Sequence, residues 1–148
     1  MLTAPVSIKK LDPRAKLPAH GSADAAGADL YAVTDGPVTI APGETALIHT
    51  GLSMAIPRGY VGLVYARSGL ATKQGLAPAN KVGVIDADYR GELMVSLYNH
   101  SGECRTVEHG DRIAQLVIAP YLTARIEEAD DLDDTARGAG GFGSTGQK

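Results

Sequence analysis

Three residue types on which folds and sites often depend are nearly missing from this sequence: its 148 residues include one Cys, no Trp and one Phe. The lone thiol, Cys104, excludes an internal disulfide and any zinc site made from several cysteines, and it suits a reducing compartment. Cys104 is read as a structural thiol. There is no basic run, and the formal net charge is -3. That balance argues against a sequence-blind nucleic-acid binder, whose affinity rests on clustered Lys and Arg neutralising phosphates. No uninterrupted apolar stretch is long enough to cross a bilayer, and the opening "MLTAPVSIKKLDPRAKLP" has no signal-peptide core. The expectation is a cytoplasmic protein with neither nucleic-acid nor membrane partners.

Several catalytic signatures are absent as well. Without G-x-x-x-x-G-K-[ST] there is no P-loop, and without H-x-E and P-C-x-x-C there is no zinc deaminase. His20, His49, His100 and His109 have neither metal-ligand spacing nor a paired nucleophile, so each is read as a surface or structural residue. Gly138, Gly140 and Gly143 match the dinucleotide fingerprint G-x-G-x-x-G but lack the strand before it and the helix after it that give the motif meaning. Asn99 heads a glycosylation sequon without a secretory context.

What is present reads as one soluble globular domain, with 44% hydrophobic and 21% charged residues. Pro and Gly punctuate the chain at short intervals. Between them lie segments of period-two patterning, such as Leu52, Met54, Ile56 and Leu93, Val95, Leu97. Many short strands of this kind predict an all-β fold, a jelly roll or distorted β-barrel. A hairpin is expected over 82–98, turning near "DYRGE". The single expected helix is "RSGLATKQG" (Arg67 to Gly75), with Ser68 as its N-cap and Gly75 as its terminator. The acidic stretch "EEADDLDDT" (Glu127 to Thr135) reads as a solvated linker, dividing a β domain over 1–135 from a flexible glycine-rich arm over 136–148.

Four stretches of this body carry polar groups suited to chemistry. "AGADLYA" puts Asp29 beside a glycine turn, and "ARSGLA" offers the Arg67 guanidinium, the Ser68 hydroxyl and backbone N–H groups, all donors for phosphate. "GVIDADYRGEL" sets Asp86 at the end of an apolar pattern, where a carboxylate is costly to bury, although a turn aspartate would serve the same position. "GDRIAQL" ends an apolar strand with Gln115. The arm, "RGAGGFGSTG", holds the only Phe. It is either a frayed tail or a segment that orders on a ligand, with glycine N–H groups and Arg137 on phosphates and Phe142 stacked on a base.

These segments, in this order and with this closing arm, resemble the dUTP pyrophosphatase (dUTPase) family of homotrimeric nucleotidohydrolases. The similarity runs from Ala26 to Gly146 and represents all five ordered motifs, of which "GVIDADYRGEL" and "RGAGGFGSTG" are the specific ones. The resemblance implies hydrolysis of dUTP to dUMP and pyrophosphate, which limits uracil in DNA and supplies dUMP for thymidylate synthesis. It further implies three sites at the interfaces of a β jelly-roll trimer, each closed by the arm of another subunit.

By the same resemblance, Asp86 deprotonates and positions a water for attack on the α-phosphorus, and Gln115 helps hold that water. Arg67, Ser68 and Gly69 bind phosphate. Asn80, Val84 and Ile85 read the uracil edge in a slot lined by Met94, and Tyr89 lies against the deoxyribose. In the arm, Phe142 stacks on uracil, Arg137 holds the γ-phosphate, and Gly143, Ser144 and Thr145 wrap the phosphate chain. Magnesium (Mg2+) is expected on the substrate's phosphates and water with no direct protein ligand, leaving Asp29 a carboxylate of the surroundings or a structural one. The alternatives are a dCTP deaminase, which shares the fold but needs a glutamate for its chemistry, and a non-catalytic dUTP sensor. Asp86 in place of that glutamate, within an intact "GVIDADYRG", speaks against the first, and Asp86 together with Gln115 against the second.

Overall fold

The computed structural model describes residues 3–142. Eleven strands and one helical turn make up its regular structure: β1 (Ser7–Lys10), β2 (Ala19–His20), β3 (Ala28–Tyr31), β4 (Val38–Ile40), β5 (Thr45–Ala55), β6 (Tyr60–Tyr65), β7 (Leu76–Pro78), β8 (Gly83–Ile85), β9 (Glu92–Asn99), β10 (Arg105–Val107) and β11 (Arg112–Pro120). They pair antiparallel into a four-stranded sheet, β1-β5-β9-β7, and a five-stranded sheet, β2-β3-β11-β6-β8, with β10-β4 as a two-stranded ribbon. This is the expected all-β jelly roll.

The period-two pattern does the folding. Leu93, Val95 and Leu97 on β9 and Leu30, Ala114, Leu116 and Val64 on the other sheet point inward and join one buried cluster with Ile40, Ile48 and Met54. Leu97 is fully buried, so truncation to Ala should cost about 2–5 kcal/mol. Asn99 is equally buried, and its amide donates to Ile40 O and Glu103 O while its oxygen accepts from Ser101. The sequon asparagine is thus a core bracket between β9 and the ribbon.

Three local expectations are corrected. The segment 82–98 is no hairpin: β8 pairs with β6, whereas β9 pairs with β5 and β7, so residues 86–91 carry the chain from one sheet to the other. The burial pattern explains this. Val84 is exposed while Ile85 packs on the core, so β8 serves as an edge of the opposite sheet.

The helix is a single turn, running through Ser68 and Gly69 into a π-type stretch, Leu70–Gln74. Ser68 is therefore a helical residue and not the cap, and no side-chain hydrogen bond caps the π-type stretch among the described residues. Gly75 does terminate it, at φ 71°, a left-handed conformation that glycine adopts without a Cβ penalty. Lastly, Gln115 lies within β11, not at its end, because the strand continues to Pro120.

Candidate active site

Between the two sheets, beside the 86–91 crossing, lies a cavity of about 320 Å³. That falls in the range of small-molecule sites, about 300–1,000 Å³. Asn80, Val84, Ile85, Asp86, Tyr89 and Met94 all line it, so this half of the expected site is brought together within one chain. Gly83, Glu92 and Ser96 line it too and were not anticipated.

Each wall has a local cause. Asn80 sits in a tight turn closed by Lys81 N–H to Pro78 O and Val82 N–H to Asn80 O, with Lys81 at φ 67°. A non-glycine residue in that region is worth about 1–3 kcal/mol of strain, the kind of conformation that collects at functional sites. Tyr89 is folded back so that its hydroxyl donates to Glu92 O at 2.9 Å. Only glycine fits beneath it, since a Cβ at Gly91 would come within 2.6 Å of Tyr89 Cζ. Arg90 braces the crossing by donating to Ala87 O and Tyr89 O at 2.7 and 2.9 Å.

A second cluster forms across the middle of the five-stranded sheet. The register sets Asp29, Gln115 and Tyr65 side by side on β3, β11 and β6. Arg67, just beyond β6, turns back so that its Nε donates to Asp29 Oδ1 at 2.8 Å, while Arg112 approaches Oδ2 at 3.3 Å. With side chains 26% and 17% exposed, the Arg67–Asp29 pair is partly desolvated, and its hydrogen bond fixes where the guanidinium points. Gln115 donates to Ala66 O at 2.8 Å. Its Oε1 lies over Gly27, where a Cβ would overlap it.

Arg67, Ser68, Gly69 and Gln115 do not line the cavity that holds Asp86. Nor do the described residues of the arm line it. Arg137 Nε donates to Gly140 O within the arm itself, and Phe142, at φ 50°, is fully exposed. Gly143, Ser144 and Thr145 lie outside the described residues. Among the described residues no group of three or more His, Cys, Asp or Glu side chains is arranged to hold a metal, and both oxygens of Asp29 are engaged by arginines. No helix of the described residues is long and apolar enough to cross a membrane.

Sequence reasoning missed Gly27, Gly91, Glu92 and His49. The two glycines stand inside quoted motifs, and their adjacency to the residues they make room for was the available signal. His49 Nδ1 lies 2.9 Å from Glu92 Oε2, a pairing between β5 and β9 that no sequence spacing announces.

The dUTPase family model matches residues 13–146. Over 146 residues the chain is 51% identical to the deoxyuridine 5'-triphosphate nucleotidohydrolase of Syntrophotalea carbinolica, covering 99% of each chain. It is 51% identical to the enzyme of the same name from Maricaulis maris over the whole of both chains. Among solved structures it is similar to the dUTPase of Staphylococcus bacteriophage 80alpha with dUpNHpp, with a TM-score of 0.88 and 30% identity over 97% of this chain and 99% of that one. It is also similar to a mutant dUTPase of phage phi11 of S. aureus, a structure that reveals the coordination of a structural Mg(II) ion, with a TM-score of 0.78 and 28% identity over 88% of this chain and 99% of that one. Similarity that spans the full length in both sequence and fold carries one conclusion: the chain belongs to the dUTPase family.

Proposed function

We propose that this protein is a dUTP diphosphatase that hydrolyses dUTP to dUMP and pyrophosphate at sites shared between the subunits of a homotrimer. One observation carries the reading most directly: Asp86 lines a cavity whose walls include Asn80, Val84, Ile85, Tyr89 and Met94. In this assignment uracil occupies the cavity. Asn80 and the backbone of Val84 and Ile85 meet its polar edge, so a mismatched base leaves buried groups unpaired and is rejected. Tyr89 covers the deoxyribose.

Asp86 holds a water, takes its proton and directs its oxygen in line at the α-phosphorus; the α–β bridging oxygen leaves with pyrophosphate. Gln115 orients that water from its place on β11, and Arg67, with Ser68 and Gly69, meets the phosphates. The donors here are the guanidinium, the hydroxyl and the backbone N–H groups, since one helical turn is too short to supply a strong dipole.

The gap within one chain between the cavity and the Arg67–Gln115 cluster supports a site completed by a neighbouring subunit. So does the outer side of β6 and β8, where Tyr60, Val61, Leu63, Val84 and Tyr121 line a second hollow that Asp86 also borders. The arm, residues 136–148, closes over the neighbour's site, with Phe142 on the base, Arg137 on the γ-phosphate and the 143–145 backbone around the chain of phosphates. The exposed ring of Phe142 is free to stack on a base. Magnesium, when bound, would be held by the triphosphate oxygens and water, without a cage of side chains among the described residues, and would supply charge neutralisation there. Asp29 serves as the carboxylate that orients Arg67. The cellular setting we assign is the cytoplasm.

The test is a steady-state assay with magnesium, offering dUTP, dCTP, dTTP and UTP separately and resolving products by chromatography. dUMP and pyrophosphate from dUTP alone are expected. Deamination of dCTP, or binding of dUTP without product, would overturn the assignment.

A further inference from the structure

The crossing that carries Asp86 and Tyr89 belongs to neither sheet ladder, so something else must fix it. Its far end is held by β5. The register there slips between His49 and Ser53: His49 faces Met94, yet Ser53 faces Glu92, leaving a bulge on β5 with Gly51 at φ 68°. The Glu92 carboxylate fills the gap. Its Oε1 accepts the Gly51 N–H at 2.9 Å, its Oε2 meets His49 Nδ1 at 2.9 Å, and its side chain is only 23% exposed. From the same residue the backbone oxygen receives the Tyr89 hydroxyl at 2.9 Å, and Ser53 Oγ donates to Arg90 O at 2.6 Å.

We infer that Glu92, anchored by His49 and Gly51, is a positioning residue that sets where Tyr89 stands in the cavity and thereby the preference for deoxyribose over ribose. The inference rests on the dUTP-hydrolysing assignment above, with Tyr89 against the sugar. Carboxylate hydrogen bonds to a backbone N–H and an imidazole are stronger than neutral ones, and a Tyr ring shifted by a fraction of an ångström changes the space left for a 2'-hydroxyl. Glu92 touches neither the phosphates nor the attacking water in this scheme. Its loss should therefore appear in KM and in sugar selectivity before it appears in kcat.

The experiment measures kcat and KM for dUTP and UTP in the full-length protein and in Glu92→Ala, Glu92→Gln and His49→Ala. For Glu92→Ala the KM for dUTP should rise about tenfold and the dUTP-over-UTP ratio of kcat/KM should fall about tenfold, with kcat held within about threefold. Glu92→Gln keeps an acceptor for Gly51 and should restore the ratio to within about threefold of wild type. An unchanged ratio in folded Glu92→Ala, or an equal loss in kcat and kcat/KM for both nucleotides, overturns the inference. Should Glu92→Ala fail to fold, His49→Ala decides: about a threefold loss of the ratio supports the inference, and no loss overturns it. Wild-type protein that makes no dUMP would remove the functional assignment and this inference together, whereas an active wild type with insensitive variants removes this inference alone.

Discussion

The 86–91 crossing and the stretch from 121 to 142 are both irregular, yet they are held in opposite ways. The crossing is tied at Asp86, Ala87, Tyr89, Arg90 and Glu92 by hydrogen bonds, three of which reach across to β5. Beyond Tyr121, whose N–H still donates to Gly59 O, the described chain is exposed almost throughout, and its hydrogen bonds, such as Gly138 N–H to Thr135 O, are local. Chemistry needs geometry fixed before the substrate arrives, and closure needs a segment whose ordering the substrate can drive. The difference is what the proposed roles require, with the reacting carboxylate in the first region and the cover in the second.

That contrast breaks most sharply at Asp86. Asp86→Asn keeps the size of the side chain and removes the proton acceptor, so turnover should fall about 10²–10⁴-fold while dUTP still binds, measured by single-turnover kinetics beside titration calorimetry. Near-wild-type turnover would take Asp86 out of the scheme.

Next is the arm. Deleting residues 136–148 should leave melting temperature and oligomeric state unchanged, because the arm's described residues contribute nothing to the core, and should remove most of the activity. Phe142→Ala alone should weaken dUTP binding by about 1–3 kcal/mol, the usual worth of a base stacked on an aromatic ring. Full activity in the truncated protein would leave the exposed Phe142 without a role.

Smaller still is Gly27→Ala. The added methyl must displace Gln115 Oε1, so kcat should drop about tenfold with little change in KM, and the double variant Gly27→Ala/Gln115→Ala should be no worse than Gln115→Ala. Additive losses would show that Gly27 acts elsewhere.

The smallest effect belongs to a surface pair, Asp12 and Arg14, that does not line the cavity. Hydrogen bonds from Arg14 hold the Asp12 carboxyl down, from 3.8 to about 2. A depressed folded-state value means that the stabilisation is present above pH 3.8 and is lost as the pH falls towards 2. Asp12→Asn should therefore lower the melting temperature slightly at neutral pH and by much less near pH 2, and activity at neutral pH should not change. Both side chains reach solvent, which screens the pair and keeps the effect on melting small.

Much of this was legible in the chain. The alternation of Leu93, Val95 and Leu97 marked the inward face of β9, and the ordered motifs named the cavity walls because those residues cluster in sequence as well as in space. The supposed hairpin failed because period-two patterning says which face is buried and not which neighbour a strand chooses; Val84 and Ile85 alternate equally well on an edge of the other sheet. Ser68 misled as a cap because residue type alone cannot tell a helical serine from one preceding the helix. The Glu92–His49 pair depended on a slip in register, which no local pattern encodes.

The central claim, that Asp86 and Arg67 serve one site from different subunits, is tested most directly by mixing two inactive proteins. The Asp86→Asn and Arg67→Gln proteins, unfolded together and refolded at equal amounts, should recover about a quarter of wild-type activity, because in mixed assemblies of the proposed trimer an intact Asp86 meets an intact Arg67 across an interface. Activity no greater than the sum of the two parents would place both residues in a site within one subunit and contradict the account.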